Sequence, residues 1–252
     1  QIPDRSLYGG KIRMKTRMRF TKTGTVKFIG HLDCMRFFQK ALRRARLDVA
    51  YSQGYSPHQL MSFASPLGVG ITSDGEYIDV EFNSLPELSL DELKDYINQF
   101  MTDEIFITEI EIMPDTFKNS MALLNACDYM IVEKEPQVFP EDYTGLWENY
   151  LNQPVISVIK RTKKSEKERD IKPLILASSV VSLEDFEEKT NQKFPPLHCQ
   201  YKGNAIFMKL TSGSDVNLKP DLVISDFFRY CHHDVSPYAY QIHRLQMHFK
   251  EK

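Results

Sequence analysis

The sequence lacks the patterns that mark several large classes of protein. No apolar run approaches the roughly 20 residues that a membrane-spanning helix needs, and we expect no signal peptide at the start. The four cysteines stand apart without a CxxC pair, which argues for reduced thiols and against a disulfide scaffold. We therefore expect a cytoplasmic protein without a membrane partner. Residues 1–10 are interpreted as a leader or a vector remnant.

Motifs of common enzymes are missing as well. The chain contains no Walker, HExxH or GxSxG sequence and no metal-ligand spacing that matches a known pattern. We predict neither a metal nor a cofactor in this chain. The candidate catalytic residues, which could form an acid–base pocket if the fold joined them, are His31, Asp33, His58 and Glu76. A binding module is favoured over an enzyme that acts alone.

Charge of one sign is scarce in each of the first two parts of the chain. Residues 1–60 carry 13 Lys and Arg against 3 Asp and Glu, whereas residues 61–150 carry 3 against 19. Residues 151–252 carry 16 against 12. This asymmetry indicates either a basic binding face or two blocks that neutralise each other in the fold.

The basic block begins with a strand in which charge alternates with apolar or neutral residues. In the segment KIRMKTRMRF (11–20), every odd position is Lys or Arg and every even position is uncharged. This period of two is typical of a β-strand with two different faces. The cations either face the acidic rows of EYIDVEF (76–82) and EIFITEIEI (104–112), as a paired solvent face, or form a nucleic-acid platform.

A basic helix is predicted over residues 31–46. At about 100° per residue, Cys34, Phe38 and Leu42 share one face and Arg36, Lys40, Arg43 and Arg44 share the opposite one. Only Asp33 and Asp48 lie near the helix to neutralise these cations locally. The cationic face predicts either binding of an external anion, such as phosphate, or pairing with acidic residues from elsewhere in the fold.

Two further segments are candidates for binding. The loop from Tyr51 to Gly70 combines aromatic, amide and histidine side chains, which suit stacking on unpaired bases, although the same rings could belong to the core. The segment 160–173 is basic and could follow a phosphate backbone or form a solvated hairpin. The candidate nucleic-acid-binding residues are Arg36, Lys40, Arg43, Arg44, Tyr51, Gln53, Tyr55, His58, Lys160, Arg161, Lys163, Lys164, Arg169 and Lys172.

The order of predicted elements indicates an α+β fold with antiparallel sheets. Residues 11–115 follow the order strand, helix, strand, strand, helix, strand, which is the ferredoxin-like or split βαβ unit. Residues 126–250 repeat it, with VISVIKRT (155–162) as a strand and a hairpin over 197–211. We predict two tandem ferredoxin-like halves, with an insertion around 163–196 in the second.

The segment 17–82 also resembles the start of a bacterial family of radical-SAM-associated proteins of unknown function. Its pattern of R-x-RF-x-K-x-G, HLD, RALRRA-like text, AYSQG[FY][NS]PHP and Glu-Tyr-x-Asp falls on Arg17, Arg19, Phe20, Lys22, Gly24, His31, Leu32, Asp33, Arg36, Arg43, Arg44, Tyr51, Ser52, Gln53, Gly54, Tyr55, Pro57, His58, Glu76 and Asp79. Gln59 departs from the usual Pro. RDIKPLI (169–175) and SGSDVNLKPDLV (212–223) resemble later family text, with Lys172 and Lys219 in place of Arg.

The resemblance implies a stand-alone form of a domain that is otherwise fused behind cobalamin-type radical-SAM proteins. It implies a radical-SAM partner and a role in RNA or ribosome biology. This chain has no CxxxCxxC triplet for an iron–sulfur cluster, so we do not expect it to be the radical enzyme. The first hypothesis is an RNA-binding accessory module. The alternatives are an RNA-acting enzyme and a pure protein-interaction module that uses the acidic block 74–115.

Overall fold

The computed structural model describes residues 13–134, 138–162, 165–190, 201 and 203–250. It describes the backbone but not the side chains of 160–162, 165–167 and 187–190. The predicted leader therefore lies outside the described residues. The chain divides into two compact units, residues 1–124 with 249–252 and residues 125–248, and both combine helices with strands. The fold is α+β.

The first unit contains five strands. Its elements are β1 (Met14–Lys22), a 3-10 helix (Gly24–Phe28), α1 (His31–Arg44), β2 (Asp48–Val49), β3 (Met61–Phe63), β4 (Thr72–Ser84), α2 (Leu90–Asn98), β5 (Ile107–Met113) and α3 (Ser120–Leu123). Strand β1 is central, as the predicted order of elements implies, and pairs antiparallel with β4 on one side and β5 on the other. The short strands β2 and β3 both pair with β4, which gives the order β5-β1-β4-β2/β3.

Helix α1 forms within the predicted residues 31–46, whereas the short helix α3 and the 3-10 helix were not predicted. In α1, Cys34, Phe38 and Leu42 are buried and face a core that includes Met18 and Phe20 of β1. Helix α2 begins with a capping box, because the Ser89 hydroxyl accepts from the Glu92 N–H while the Glu92 carboxylate accepts from the Ser89 N–H. The uncharged row of β1 is thereby buried and its charged row remains on the opposite face of the sheet.

The second unit has a four-stranded sheet and a separate ribbon. Its elements are β6 (Leu124–Glu133), α4 (Tyr143–Asn152), β7 (Ser157–Thr162), β8 (Ser165–Asp170), a 3-10 helix (Lys172–Leu174), β9 (Ile175–Ser182), α5 (Leu183–Thr190), β10 (Asn204–Thr211), α6 (Pro220–Tyr230) and β11 (Tyr240–Phe249). The main sheet has the order β11-β6-β10-β9, and β10 pairs antiparallel with both β6 and β9. Among the described residues, strands β7 and β8 pair only with each other.

Two details of the second unit differ from the sequence-based expectation. The strand predicted over 155–162 belongs to the ribbon rather than to the main sheet. Strand β9, inside the segment interpreted as an insertion, pairs with β10 instead. The sequence of β9, ILASSVVS, mixes small, polar and apolar residues without strict alternation, because most of its side chains are only partly buried or exposed. The first arm of the hairpin predicted over 197–211 lies mostly outside the described residues.

Helices α4 and α6 meet in an aromatic cluster that also anchors the ribbon. Trp147 and Tyr150 of α4 are buried against Phe227 of α6. The Tyr150 hydroxyl donates to the Asp226 carboxylate at 3.0 Å. Arg229 donates both to the same carboxylate and, at 3.1 Å, to the carbonyl of Ser157 at the start of β7. The base of the ribbon is therefore tied to α6 by hydrogen bonds.

Candidate nucleic-acid interface

The first part of the candidate site is the cationic face of α1, which we define as Arg36, Lys40, Arg43 and Arg44. All four residues are exposed. The Arg36 guanidinium pairs with the Asp33 carboxylate one turn away, at 3.1 Å, and both side chains are about two-thirds exposed. An ion pair this exposed neutralises its partners only weakly. Arg44 donates to the backbone carbonyl of Phe100 at 3.0 Å, and that carbonyl bears no net charge.

Lys40 and Arg43 have fewer polar contacts than Arg36 and Arg44. Within the described residues, neither side chain has a hydrogen bond or an ion pair, and both are exposed. The alternative of neutralisation by acidic residues elsewhere in the fold therefore finds no support for these two cations. Two exposed positive charges at i and i+3 on one helix face can both contact a phosphate backbone.

The second part is the loop between β2 and β3. Its ends are joined by a backbone bridge between Tyr51 and Gln59. Inside this bridge, the Ser52 hydroxyl lies 2.9 Å from Nδ1 of His58 and accepts from the His58 N–H at 3.1 Å, while the Ser52 N–H donates to the His58 carbonyl at 2.8 Å. The loop is thus ordered at its base, and its tip carries exposed Gln53 and Tyr55.

The third predicted part, the basic segment 160–172, is only partly described. Lys163 and Lys164 lie outside the described residues, and Lys160 and Arg161 are described by their backbone alone, in β7. Arg169 is partly buried in β8, in register with Val158. The Lys172 ammonium donates to the carbonyl of Gln153, which fixes the base of the ribbon. This hydrogen bond of Lys172 therefore stabilises the fold.

Two members of the cation row of β1, Arg13 and Arg17, are paired inside the protein, whereas Nε of Arg19 is buried without a hydrogen-bond partner among the described residues. In the sheet register, Arg17 stands between Asp79 of β4 and Glu111 of β5. The Arg17 guanidinium carbon lies 4.1 Å from the ring centre of Phe249 and 4.9 Å from that of Phe117. Its Nε donates to the Ser120 hydroxyl at 2.9 Å. Arg13 pairs with Glu81 at 3.5 Å, and Lys11 lies outside the described residues. The prediction of paired cations is confirmed for Arg13 and Arg17, whereas the prediction of a solvent face is wrong for Arg17, since only 11% of its side chain is exposed.

Asp79 links this row to helix α3. Its two carboxylate oxygens accept from the N–H and the hydroxyl of Ser120, each at 2.6 Å. Burial raises the pKa of Asp79 above its ordinary 3.8, while the two bonds from Ser120 and the charge of Arg17 oppose the rise. The carboxylate therefore carries a desolvation cost that its partners offset only in part.

The four candidate catalytic residues are not gathered in one cavity by the contacts that the structure shows. His31 and Glu76 both line a cleft of about 20 Å³, room for roughly one water molecule. Asp33 is instead exposed and paired with Arg36, and His58 is bonded to Ser52 in the exposed loop. The cleft has too little volume for a nucleotide.

The sequence reasoning overlooked two residues of this cleft, Lys22 and Cys34. Lys22 is buried and donates to the Ile29 carbonyl at 2.9 Å. A signal was available, because Lys22 occupies an even position of β1 and therefore follows Met18 and Phe20 along the row that faces the core. Burial raises the pKa of the Cys34 thiol to about 11, so this thiol is not a ready nucleophile at neutral pH.

A second cavity, of about 210 Å³, lies over the charged face of the sheet and was also not predicted. Its lining includes Lys15, Asp79 and Glu81 from the strands and Phe117 and Asn119 from the segment before α3. Lys15 donates to the backbone carbonyls of Asp115 and Phe117. Most of the charged groups of the cavity thus already have partners.

The residues that the structure describes contain neither a cluster of metal ligands nor a helix suited to a membrane. No group of three or more His, Cys, Asp and Glu side chains in that part of the chain is arranged to hold a metal ion. Among the same residues, none of the helices combines the length and the apolar character that crossing a membrane requires.

Comparison with known proteins places the chain in a family. No match was found among the curated proteins. The sequence profile of the family described as "Uncharacterized protein conserved in bacteria (DUF2344)" matches residues 15–220, which include α1, the loop between β2 and β3, and the ribbon. The chain therefore belongs to this bacterial family.

Proposed function

We propose that this chain is an RNA-binding accessory module that recognises substrate for a radical-SAM partner in RNA or ribosome modification. The observation that supports RNA binding is the cationic face of α1, where Lys40 and Arg43 are exposed and lack a partner among the described residues. Phosphate is the natural counter-ion for such a face. The radical-SAM partner and the role in modification rest on the family resemblance of residues 17–82.

The RNA-binding proposal is tested by filter binding with structured and unstructured RNA at several salt concentrations. Binding should weaken steeply with salt, and the double variant Lys40→Ala/Arg43→Ala should bind less tightly with a shallower salt dependence. Each lost phosphate contact on a single strand lowers the slope of log K against log salt by about 0.7. Failure of the unaltered protein to bind RNA at low salt would refute the proposal.

A matched control removes the same number of charges elsewhere in the first unit. The variant Lys94→Ala/Lys118→Ala alters two lysines of the acidic block 74–115 and its flank, one of which pairs with Asp91 at 2.9 Å. If this variant lowered the salt slope as much as the α1 variant, only the net charge of the protein would matter, and the assignment to α1 would be wrong.

The partner is tested separately by a pull-down of the radical-SAM protein with and without nuclease. Capture that survives nuclease indicates direct contact, and capture that disappears indicates bridging by RNA. The acidic block 74–115 is the alternative contact surface for the partner. An RNA-acting enzyme that uses His31, Asp33, His58 and Glu76 is the other alternative, and the small volume of the cleft at His31 and Glu76 disfavours it.

We further propose that both units are ferredoxin-like domains in tandem. The strand orders β5-β1-β4-β2/β3 and β11-β6-β10-β9 support this, because each equals the order 4-1-3-2 of a split βαβ unit once the ribbon and α5 are treated as insertions. Superposition on a ferredoxin-like domain should align four strands and two helices of each unit. A unit whose second helix, α2 or α6, fell on the other face of the sheet would contradict the proposal.

A further inference from the structure

The tip of the loop between β2 and β3 presents an isolated aromatic ring to solvent. Tyr55 is fully exposed, with a relative accessibility of 111%, and Tyr51 at the base is 42% exposed. Within the described residues, neither ring contacts another aromatic ring. An exposed tyrosine normally gains by covering its ring, so a fully exposed one in an ordered loop is suited to an external partner.

The loop holds this ring in a defined place. Ser52 and His58 close its base by the three contacts given above. Next to the tyrosine, Gly54 has a φ of +113°, a conformation that residues with a Cβ rarely adopt, and it directs the chain through the tip. A ring on a loop that is already ordered loses little conformational freedom when it binds.

The chemistry around the ring is polar but uncharged. From Val49 to Ser73 the sequence contains no Asp, Glu, Lys or Arg, and the exposed residues around Tyr55 are Gln53, Gly54, Ser56, Pro57 and His58. No carboxylate of the segment would repel a nucleic-acid backbone. Amide, hydroxyl and imidazole groups can hydrogen-bond to the edges of a base whose face lies on the ring.

We propose that Tyr55 stacks on an unpaired nucleobase, so that the loop is a platform for single-stranded RNA. This inference rests on the proposed function and narrows it, because it names unpaired nucleotides as the substrate class. Stacking accepts any base, since every base has a π-face, and it depends little on salt. The loop and the cationic face of α1 therefore contribute in physically different ways, the loop by stacking and the helix by charge.

A protein partner is the competing occupant, because exposed tyrosines are also common in protein interfaces. Two observations favour RNA. The side chains exposed beside the ring are mainly polar, since Gln53, Ser56 and His58 outnumber the apolar Pro57. The same unit also carries the cations of α1 that lack carboxylate partners, which an RNA strand would neutralise.

The test compares Tyr55→Ala, Tyr55→Phe and the unaltered protein by fluorescence anisotropy. The probes are a labelled single-stranded oligoribonucleotide of mixed sequence and the duplex that it forms with its complement. Tyr55→Ala should weaken binding of the single strand by about 5- to 100-fold, with the slope against salt unchanged and duplex binding nearly unchanged. Tyr55→Phe retains the ring and should bind like the unaltered protein.

The control is Tyr238→Ala, which removes another exposed tyrosine, at 81% accessibility, from the second unit. It should leave binding of both probes unchanged. Because Tyr55 makes no contact that the fold needs, circular dichroism and the unfolding midpoint should be the same for all variants.

Other outcomes separate this inference from the proposed function. If Lys40→Ala/Arg43→Ala weakens RNA binding while Tyr55→Ala does not, the stacking inference is overturned and the loop is left to a protein partner, but RNA binding stands. An equal loss for single strand and duplex also overturns the inference, since a paired base has no free face. If the unaltered protein binds neither probe at low salt, both proposals fail.

Discussion

Two rows of cations in the same unit, on β1 and on α1, have opposite environments. Arg17 on β1 lies between aromatic rings, bonded to Ser120 and beside Asp79, with only 11% of its side chain exposed. Lys40 and Arg43 on α1 are exposed and have no partner among the described residues. Both rows appear in the sequence as regular cations, yet one stabilises the fold and the other is available to a ligand.

The difference arises from what each element has beside it. A central strand has a neighbour on each side, so its cations can be matched by the carboxylates of β4 and β5 in register. The outer face of a surface helix has only its own residues at i±3 and i±4, and α1 offers Asp33 alone in that position. A row of charges therefore indicates function only when the topology leaves it without a neighbour.

The largest effect is expected for Arg17→Ala. This change removes the bond to Ser120 and the stacking on Phe249 and Phe117, and it leaves the mostly buried carboxylate of Asp79 without its cation. Because removal of one member of a buried pair leaves an uncompensated charge, we expect a loss of about 3 kcal/mol in the free energy of unfolding. Urea denaturation measures it.

Two further variants sharpen this measurement. Arg17→Lys keeps the charge but not the planar group that stacks, so it should be intermediate in stability. Arg43→Ala should change the free energy of unfolding by less than about 0.5 kcal/mol, as for most exposed positions. Equal stabilities of Arg17→Ala and Arg43→Ala would remove the contrast between the two rows.

The second effect is a pH dependence carried by Asp79. Because burial raises its pKa in the folded state above the ordinary 3.8, the folded protein binds this proton more tightly than the unfolded chain does. The contribution of Asp79 to stability is therefore present at low pH and falls as pH rises from 3.8 through the raised pKa. Burial costs less free energy for protonated Asp79 than for ionised Asp79.

The measurement is the difference in unfolding free energy between the unaltered protein and Asp79→Asn across this pH range. The advantage of the unaltered protein should decrease as pH rises, and in an Arg17→Ala background the decrease should extend to higher pH, since Arg17 lowers the pKa of Asp79. An advantage that grew with pH would show that hydrogen bonds and charge outweigh burial at this carboxylate.

The sequence predicts the parts of the fold whose pattern is local. The alternation of 11–20 identifies β1, and the helical spacing of Cys34, Phe38 and Leu42 identifies α1. Strand β9 could not be predicted in this way, because the hydrophobic residues of a partly exposed strand follow no strict period. The pairing of the acidic rows of β4 and β5 with the basic row of β1 was predictable, because the order of the elements places these strands side by side.

The partners of single side chains were harder to predict. Arg17 contacts Phe249, which is distant in the sequence, and no local pattern predicts that contact. Lys172 is a cation of the kind that binds phosphate, yet its ammonium donates a hydrogen bond to the Gln153 carbonyl. By contrast, the exposed cations of α1 and the tip of the loop could be predicted, because exposure of a helix face or a loop tip follows from the burial of the opposite side.

The smallest effect is expected for the pair of Asp33 and Arg36, where the row on α1 comes nearest to internal neutralisation. A double-mutant cycle with Asp33→Asn and Arg36→Gln should give a coupling of about 0.3–0.5 kcal/mol that diminishes with salt, because both side chains are about two-thirds exposed. The cycle also cancels the favourable position of Asp33 in the first turn of the helix. The matched control is the Asp91–Lys94 pair of α2, which has the same spacing.

A coupling well above about 1 kcal/mol, beyond the usual range for exposed pairs, would mean that Arg36 is held by its own helix. Arg36 would then be neutralised inside the protein, as Arg17 is. In that case Asp33→Asn should release Arg36 and strengthen RNA binding measurably. With the weak coupling expected here, Arg36 is free to exchange Asp33 for a phosphate, and Asp33→Asn should change RNA affinity only slightly.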